Sequence, residues 1–403
     1  MTLLLQSATL ADGRLVDIAI DNGLISWLGA PGTHAGHAET KIDLNGYILT
    51  ASFVEPHAHL DKAFLADRIS NPSGDLMGAI LGLGAVRSTI THQDLVDRAI
   101  RAAILMSENG VTAIRTHADT TIEGGLSSVL ALLEAKRSCA HFIDIQVAML
   151  LEWPVTGAAS IEHRAMANDA IAAGVDVVGG CPHLDPDPKG AVEYLLELAV
   201  SHNLPLDLHA DENLRPESVD LEHLADVVLS QNITHRMNAS HCVSLSIRSE
   251  SDIKRISEKV AQAGISVTAL PQTNLFLQGR GMTSSVPRAI TPTASLREAG
   301  VLVAAGADNL QDPFNLMGKG DPLEIASLMV TAAHATPEAA HRMVAQSSSL
   351  VVLGYANEVQ VGQRADLVAV KATTLRESIA MGPPDRHVVY GGVVIDNRIR
   401  NRK

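Results

Sequence analysis

The sequence contains no run of about 18 uncharged apolar residues, the length that a membrane-spanning helix requires. It also has no basic leading segment followed by a small-residue cleavage site, so we expect no secretory signal. Cysteine is scarce, and Cys139, Cys181 and Cys242 are isolated, odd in number and form no CxxC pair. This usage argues against a disulfide framework and suits a reducing compartment, so we predict a cytoplasmic protein.

A block of Lys and Arg is also missing. The formal net charge is −14, and phosphate binding needs a clustered basic surface, so we expect no nucleic-acid partner. The expected partner is a small-molecule substrate, and a homo-oligomer is left open. What the chain does contain is 17 histidines, and their positions are more informative than their number.

Short apolar runs alternate with helix-like segments along most of the chain. Eight runs rich in Val, Ile, Leu and Ala recur between residues 48 and 308. Between them, a segment such as "THQDLVDRAIRAAILMSENG" begins with a Thr N-cap candidate and ends at Gly110. Strands that are apolar throughout and alternate with helices are typical of a covered parallel sheet. Eight such units predict an α/β fold, a (β/α)8 TIM-type barrel.

The two flanks of the chain carry short alternating strands, separated by turns such as Asp12-Gly13 and Asn22-Gly23. Neither flank is long enough for a self-sufficient sheet. We therefore predict that residues 1–52 and 353–403 together form one small β-sandwich-like domain. Residues 53–352 then form the barrel.

Polar side chains follow most of the predicted strands, and in a β/α barrel the reactive groups lie at the C-terminal strand ends. A lone histidine at such a position, for example His117 or His183, is more often a hydrogen-bonded structural residue than a ligand. The prediction of a site therefore depends on convergence at one mouth. From strand one to strand eight the residues are His57 and His59; His117 and Asp119; Glu152; Cys181 and His183; His209, Asp211 and Glu212; His241; Gln272 and Asn274; and Asp308 and Asn309.

His57 and His59 are two residues apart in an extended segment, so both imidazoles lie on one face and can reach one cation. A histidine from strand five, His209, and a carboxylate from strand eight, Asp308, would complete a set of three nitrogens and one oxygen. This mixture of ligands suits zinc or iron. An open position on the metal would hold a water whose pKa falls towards about 7.

A hydrolytic site also needs a group that moves protons. Glu212 lies three residues past His209 in "LHADE", where strand gives way to loop, and it could approach the water without binding the metal. His241 is a candidate to orient that water or to stabilise the developing negative charge.

These residues resemble the cytosine deaminase-like branch of the amidohydrolase superfamily. The matching stretches are "VEPHAHLDK", "LDLHADEN", "ASHC", "NLFLQGR" and "GADNLQDPF", and triazine-degrading members are similar in layout. The resemblance implies that His57, His59, His209 and Asp308 bind one divalent metal. It also implies catalytic roles for Glu212, His241 and Asp308, with Asp308 accepting a proton on its way to the departing amine.

A single metal ion is expected because two-metal members carry a carbamylated lysine or a glutamate after strand four. The corresponding stretch here, "VDVVGGCPH", contains neither residue.

The sequence departs from this branch where the substrate would bind. Cytosine deaminases have a glutamine after strand three, whereas this chain has Glu152, which as a carboxylate only accepts hydrogen bonds. The substrate edge facing it should then offer N–H donors, as an amidine or guanidine does. Alternatively, Glu152 pairs with a nearby cation. Asn309 and Phe314 also differ from that branch, and the predicted substrate contacts are Glu152, Asn309, Gln278, Phe314 and His183.

Asp61, Lys62 and His117 are predicted to support the site from behind the ligands. The alternative for Asp61 and Lys62 is a solvated loop pair.

Three functions are compatible with this pattern. The first is a metal-dependent hydrolytic deaminase that releases ammonia from an amino-substituted nitrogen heterocycle, such as a cytosine-like pyrimidine. The second is a cyclic amide or N-substituted amine (triazine-type) amidohydrolase, which would use the same activated water. The third is a non-catalytic barrel scaffold, which fold-level analogy alone supports.

Overall fold

The computed structural model describes residues 2–396 and residue 400. In chain order the strands are β1 (Thr2–Leu10), β2 (Leu15–Asp21), β3 (Leu24–Gly29), β4 (Thr40–Asp43), β5 (Tyr47–Ala51), β6 (Phe53–Ala58), β7 (Val111–Thr120), β8 (Asp144–Leu151), β9 (Val178–Gly180), β10 (Leu206–Ala210), β11 (Met237–His241), β12 (Ser266–Ala269), β13 (Val303–Ala305), β14 (Leu367–Lys371), β15 (Arg386–Tyr390) and β16 (Val393–Ile395).

The α-helices occupy the intervals between the barrel strands and the segment after them. They are α1 (Leu76–Val86), α2 (His92–Glu108), α3 (Ser127–Cys139), α4 (Ile161–Ala173), α5 (Pro188–Ser201), α6 (Asp220–Gln231), α7 (Glu250–Gln262), α8 (Pro271–Leu277), α9 (Thr293–Glu298), α10 (Pro322–Thr331), α11 (Pro337–Val344), α12 (Gln346–Leu353) and α13 (Leu375–Met381).

The barrel sheet runs from β6 to β13, and each strand pairs in parallel with the next along the chain. A parallel bridge between Ala58 and Asp308 joins the first strand to the residues that follow the last. The strands are buried on both faces, as in β6 and β10, where every residue is buried. The predicted (β/α)8 barrel is therefore confirmed.

The chain termini build a second sheet, in the order β16-β15-β14-β5-β1-β2-β3, with β4 paired to β1. Asn22 and Gly23 join β2 to β3 with φ values of 49° and 80°, the left-handed conformation that a two-residue hairpin turn needs. The prediction of a β domain made from both termini is confirmed. Its sandwich-like form and its boundaries stay predictions, and residues 1, 397–399 and 401–403 lie outside the described part.

Two local predictions can be compared with the elements directly. Thr91 caps α2, since its Oγ1 accepts a hydrogen bond from the Asp94 N–H, as the pattern predicted. The predicted end of strand seven is wrong. β12 ends at Ala269, and Gln272 and Asn274 lie in α8, because Pro271 starts a helix there.

None of the helices within the described residues is both long and apolar enough to cross a membrane.

Candidate active site

The C-terminal end of β6 carries two histidines that point to one place. His57 lies in the strand and His59 one residue beyond it, and both are buried. His209, near the end of β10, completes a group of three. Its Nε2 lies 3.1 Å from Nε2 of His57 and 3.2 Å from Nε2 of His59. Three imidazole nitrogens from two distant stretches of sequence therefore converge.

Asp308 faces the three rings from the barrel seam. Its Oδ1 lies 3.3 Å from Nε2 of His59 and 3.7 Å from Nε2 of His57. Its backbone N–H donates to the carbonyl of His57 over 3.0 Å, so barrel closure fixes its position. Asp308 and His241 have φ values of 62° and 71°. This left-handed conformation is strained for residues with side chains, and such strain is typical of functional sites.

The donor atoms of this cluster fit a single divalent metal ion. Three imidazole nitrogens and one carboxylate oxygen are a set that zinc and iron both accept. Burial, and then repulsion from neighbouring histidine rings, holds the pKa of His57 and of His209 well below the ordinary value. Both rings therefore stay neutral, as ligands must. Neither oxygen of Asp308 has a hydrogen-bond partner within the described chain, and such a buried carboxylate needs a cation.

Lys62 makes a contact that a bound metal would change. Its Nζ lies 3.0 Å from Nδ1 of His59 and 2.6 Å from Oδ1 of Asp119. Because an ammonium only donates, this contact uses Nδ1 as an acceptor and leaves the ring proton on Nε2. A metal ion on Nε2 requires the opposite tautomer. A loaded site therefore needs the ammonium to donate to Asp119 instead.

Lys62 and Arg87 share the carboxylate of Asp119. Nη2 of Arg87 lies 2.9 Å from Oδ2 of Asp119, and the Asp119 N–H donates to Asp61 over 3.0 Å. Burial alone would raise the pKa of Asp119, but the two cations lower it well below its usual range. Burial alone would lower the pKa of Lys62, but Asp119 and Asp61 raise it. Asp61 and Lys62 are thus buried beside the predicted metal ligands, and the alternative that they form a solvated loop pair does not hold.

His117 packs directly on His57, with ring centroids 4.0 Å apart. Neither of its ring nitrogens has a hydrogen-bond partner among the residues described. Burial, and then the charges of neighbouring groups, lowers its pKa well below the ordinary value, so the ring is neutral. His117 therefore supports a predicted metal ligand by stacking and not by pairing with Asp61 or Lys62.

A buried polar network that the sequence reading missed lies behind His57. Nδ1 of His57 is 2.9 Å from the hydroxyl of Ser240, which donates to Oδ1 of Asp207 over 2.9 Å. Asn238 also donates to that oxygen, and Arg115 donates to Oδ2 over 2.8 Å. Since the serine proton goes to Asp207, Nδ1 of His57 donates to Ser240 and its Nε2 keeps a lone pair for the cluster. The sequence did contain a signal for this network, because Arg115 and Asp207 are charged residues inside otherwise apolar strands.

Glu212 and His241 lie beside the cluster. Oε1 of Glu212 is 3.6 Å from Nδ1 of His241, and that Nδ1 is 3.1 Å from Oδ1 of Asn274. Burial, with a smaller contribution from the charge of Asp308, raises the pKa of Glu212 to about 7. A carboxyl group with such a pKa can both take and give a proton near neutral pH. Nε2 of His241 has no partner within the described residues.

These groups open into a cavity of about 100 Å³. Its lining combines the cluster with charged residues and a largely apolar wall. The lining residues are His59, Lys62, Leu76, Ile80, Leu83, Arg87, Asp119, Thr121, Leu150, Leu151, Glu152, Trp153, Cys181, Leu184, His209, Glu212, His241, Asp308, Asn309 and Phe314.

Three of the predicted substrate residues line this cavity. Oε2 of Glu152 accepts the backbone N–H of Ile122 over 2.8 Å, and the side chain is 33% exposed. Asn309 donates to Oδ2 of Asp312 over 2.8 Å, and Phe314 is buried in the wall. The neighbour of Glu152 is therefore a backbone amide together with His163 at 3.7 Å, and no Lys or Arg pairs with it among the described residues.

His183 and Gln278 do not reach the cavity lining. Nδ1 of His183 lies 3.0 Å from the carbonyl of His209, and Nε2 of Gln278 donates to the carbonyl of Glu212 over 3.2 Å. Both side chains hold the backbone of the β10 end. His183 is turned there by a short 3₁₀ segment that starts at Pro182. The geometry thus gives both side chains supporting contacts to the chain, and their contact with a substrate stays a prediction.

Comparison with known proteins gives a consistent picture. The model of the amidohydrolase family matches residues 74–400. A pterin deaminase of Rhizobium rhizogenes (strain K84 / ATCC BAA-868) is 30% identical over 394 residues, which cover 95% of this chain and 88% of that protein.

Two solved structures are similar over nearly the whole length. The 5-methylcytosine deaminase of Klebsiella pneumoniae, liganded with 5-fluorocytosine, has 27% identity and a TM-score of 0.89, and the match covers 98% of this chain and 97% of that one. The N-isopropylammelide isopropylaminohydrolase of Burkholderia multivorans ATCC 17616 has 25% identity and a TM-score of 0.84, with 98% of each chain covered.

Proposed function

The chain belongs to the amidohydrolase family, and from this premise we propose that it is a metal-dependent hydrolase that deaminates an amino-substituted nitrogen heterocycle. Water replaces the exocyclic amino group at a ring carbon, and the amine leaves as ammonia. A ring of the pterin or cytosine type is the proposed substrate, since relatives named for both rings match along the chain.

The observation that carries this proposal is a buried carboxyl group, Glu212, which lines the same cavity as His59, His209 and Asp308. Glu212 is 4% exposed, and burial raises its pKa to about 7. In hydrolytic deamination the proton that water loses must reach the ring or the leaving amine. A group that is half protonated near pH 7 can carry it in both directions.

The proposed roles follow from the contacts of each residue. His57, His59, His209 and Asp308 hold the metal, which when bound would supply Lewis-acid activation of water. Glu212 takes a proton from that water and delivers it to a ring nitrogen. His241, with its Nδ1 proton donated to Asn274, accepts a hydrogen bond from the water at Nε2. Asp308 accepts the second water proton, which passes to the departing amine.

Glu152 is proposed to read the edge of the ring. Only its Oε2 is engaged by a described residue, the N–H of Ile122, and a carboxylate can accept further hydrogen bonds. A 2-amino-4-oxo ring of the pterin type presents an N–H and an amino group side by side. This edge offers two hydrogen-bond donors, which the carboxylate of a glutamate can accept. The amide of a glutamine also donates and would not match both of them.

Several finer statements stay predictions. The metal is proposed to be zinc or iron, because the ligand set suits both. A cytoplasmic location and the division of the chain at residues 52/53 and 352/353 are likewise proposed from the sequence, and a homo-oligomer is left open.

The test is an ammonia assay on purified protein reconstituted with zinc or with iron. Pterin, isocytosine, cytosine, 5-methylcytosine and aminotriazines would each be offered. We expect ammonia from at least one ring, together with one metal ion per chain. A protein that carries one metal ion per chain and releases ammonia from none of these rings would contradict the proposal.

A pair of glutamate variants separates catalysis from folding. Glu212→Gln keeps the shape but cannot accept a proton, so we expect kcat to fall by about 10²- to 10⁴-fold while metal content is unchanged. The control is Glu217→Gln on the same loop, where the side chain is exposed and kcat should not change. Equal kcat in the two variants would show that Glu212 does not carry the proton, and a metal-loaded unmodified protein without any turnover would favour the non-catalytic scaffold.

An amidohydrolase that releases a substituted amine is the second candidate. It is favoured by the structural likeness to the N-isopropylammelide isopropylaminohydrolase. Release of an alkylamine from an N-alkylated aminotriazine, with no ammonia from the unsubstituted rings, would select this alternative.

A further inference from the structure

One wall of the active-site cavity is an apolar stripe on α1. Leu76, Ile80 and Leu83 all line the cavity, and their spacing of four and three residues places them on one helical face. Leu83 is buried in a cluster with Phe314, and Leu76 and Ile80 pack against this cluster but are only partly buried. The stripe therefore presents hydrocarbon surface that a ligand could still cover.

The opposite face of α1 serves as an internal reference. Leu81 is 68% exposed and is not part of the cavity lining. The helix contains no charged residue over its 11 residues, LMGAILGLGAV. The outer face is therefore apolar as well, and Leu81 offers a matched site for a control substitution.

Leu184, Trp153 and Phe314 also line the cavity and add to its apolar surface. The reacting ring is held by polar groups, which are Glu212, His241 and the predicted metal ligands. The hydrocarbon surface is then left to contact the rest of the substrate and favours an apolar group there.

The cations in the lining do not make this region an anion site. Lys62 and Arg87 both pair with Asp119, at 2.6 Å and 2.9 Å. Asp61 adds a second carboxylate 3.7 Å from Lys62. The positive charges of Lys62 and Arg87 are therefore balanced by the negative charges of Asp119 and Asp61 without a ligand. A carboxylate on the substrate would find no unbalanced positive charge among these four groups.

We propose that the α1 stripe is a subsite for an alkyl or aryl substituent carried by the reacting heterocycle. The inference rests on the proposed function, and it narrows the substrate class to aminated nitrogen heterocycles with an apolar side group. The reacting ring lies over the predicted metal ligands, and the side group lies against Leu76 and Ile80. The leaving group stays ammonia, because the side group is on a ring carbon and not on the amine.

The test compares kcat/KM for pterin, 6-propylpterin, 7-propylpterin and pterin-6-carboxylate with metal-loaded protein. Using both propyl isomers covers both directions in which the side group could extend. We expect one propyl isomer to exceed pterin by at least about 10-fold, the size of effect that one or more buried methylenes give. The carboxylate should not exceed pterin.

Three variants locate the effect. In Ile80→Asn the propyl-to-pterin ratio should fall at least about 10-fold, because a polar amide replaces the hydrocarbon contact. In Ile80→Phe the larger ring should fill the subsite and shift the preference from propyl to methyl. In the control Leu81→Asn the ratio and the activity on pterin should equal those of the unmodified protein.

A binding measurement keeps the test independent of turnover. Calorimetric titration of the inert Glu212→Gln protein with 6- and 7-propylpterin and with pterin should show the same preference in Kd. Equal kcat/KM for pterin and both propyl isomers, a preference for the carboxylate, or an unchanged ratio in Ile80→Asn would overturn the inference. If pterin itself and all other rings yield no ammonia, it is the proposed function that fails.

Discussion

A serine hydroxyl decides which nitrogen of His57 carries the proton. Ser240 gives its own proton to Asp207 and accepts the Nδ1–H of His57. Nε2 is then left with the lone pair that a metal ion needs. Such contacts behind a ligand commonly change metal affinity by about 10- to 100-fold when they are removed.

We therefore expect Ser240→Ala to raise the Kd for zinc by about 10- to 100-fold. Competition with a fluorescent chelator measures this without any substrate. Ser246→Ala is the control, because that hydroxyl donates to the carbonyl of Val243 in the turn after β11 and does not contact the site. An unchanged Kd in Ser240→Ala would show that the hydroxyl does not set the tautomer.

Asn274 plays the corresponding part for His241. Its Oδ1 lies 3.1 Å from Nδ1 of His241, so Asn274→Ala removes the acceptor that holds the ring in place. We expect kcat to fall about 10-fold or more while the metal content stays the same. Asn274→Asp keeps an acceptor at that position and should retain more of the activity. If the alanine variant keeps full kcat, the contact has no role in orienting the ring.

At the scale of elements, the position of Asp308 depends on the seam where the barrel closes, between β6 and the residues that follow β13. Glu55 lies across it, and its carboxyl group accepts the N–H of His57 over 3.1 Å and the N–H of Ala307 over 3.0 and 3.1 Å. Gly306 lies next to this carboxyl group, and a Cβ added to Gly306 would be 2.3 Å from Oε1 of Glu55. The seam that positions Asp308 thus requires a residue with no side chain.

Gly306→Ala should lower the free energy of unfolding by about 1–3 kcal/mol, the usual cost of overpacking. Denaturant unfolding measures it, and metal affinity should fall as well, because Asp308 lies two residues away. The control is Gly84→Ala in α1, where an added Cβ meets no atom within 4 Å. Higher helix propensity should there stabilise by up to about 1 kcal/mol. Equal stability of the two variants would contradict this account of the seam.

At the scale of the molecule, polar contacts join the terminal sheet to the barrel, and the Arg386–Asp321 pair among them is largely buried. The guanidinium of Arg386, on β15, lies 2.9 and 2.8 Å from the two carboxylate oxygens of Asp321, the residue that caps α10. Arg364 and Tyr390 both contact Asp144 at the start of β8, at 2.9 and 2.8 Å. The two ends of the chain are in this way held against the barrel helices and strands.

Arg386→Met should lower stability by about 3–5 kcal/mol, because it leaves Asp321 without its partner in a largely buried position. Thermal unfolding followed by circular dichroism is the measurement. Arg14→Met is the control, since Arg14 pairs with Asp12 on the surface and should show no measurable change. A similar melting temperature for the two variants would mean that the Arg386 pair does not hold the sheet to the barrel.

Local patterns in the sequence determined the architecture and pointed to the residues of the predicted metal site. Strand and helix periods are repeated within each unit, so eight apolar runs were enough to predict the barrel. The spacing of two between His57 and His59 fixed a shared face for the same reason. The general position of the other strand-end residues follows, because parallel strands all end at one mouth of a barrel.

The tertiary structure alone decided which side chains meet and which turn away. Ser240 meets His57 across 183 positions of sequence, and no local period records such a pairing. His183 and Gln278, predicted beside the substrate, instead bond to backbone carbonyls of the β10 end. The sequence also could not show which face of α1 lines the cavity, because its outer face is apolar too. Rotamers and neighbours are set by packing between elements, and packing depends on the whole chain.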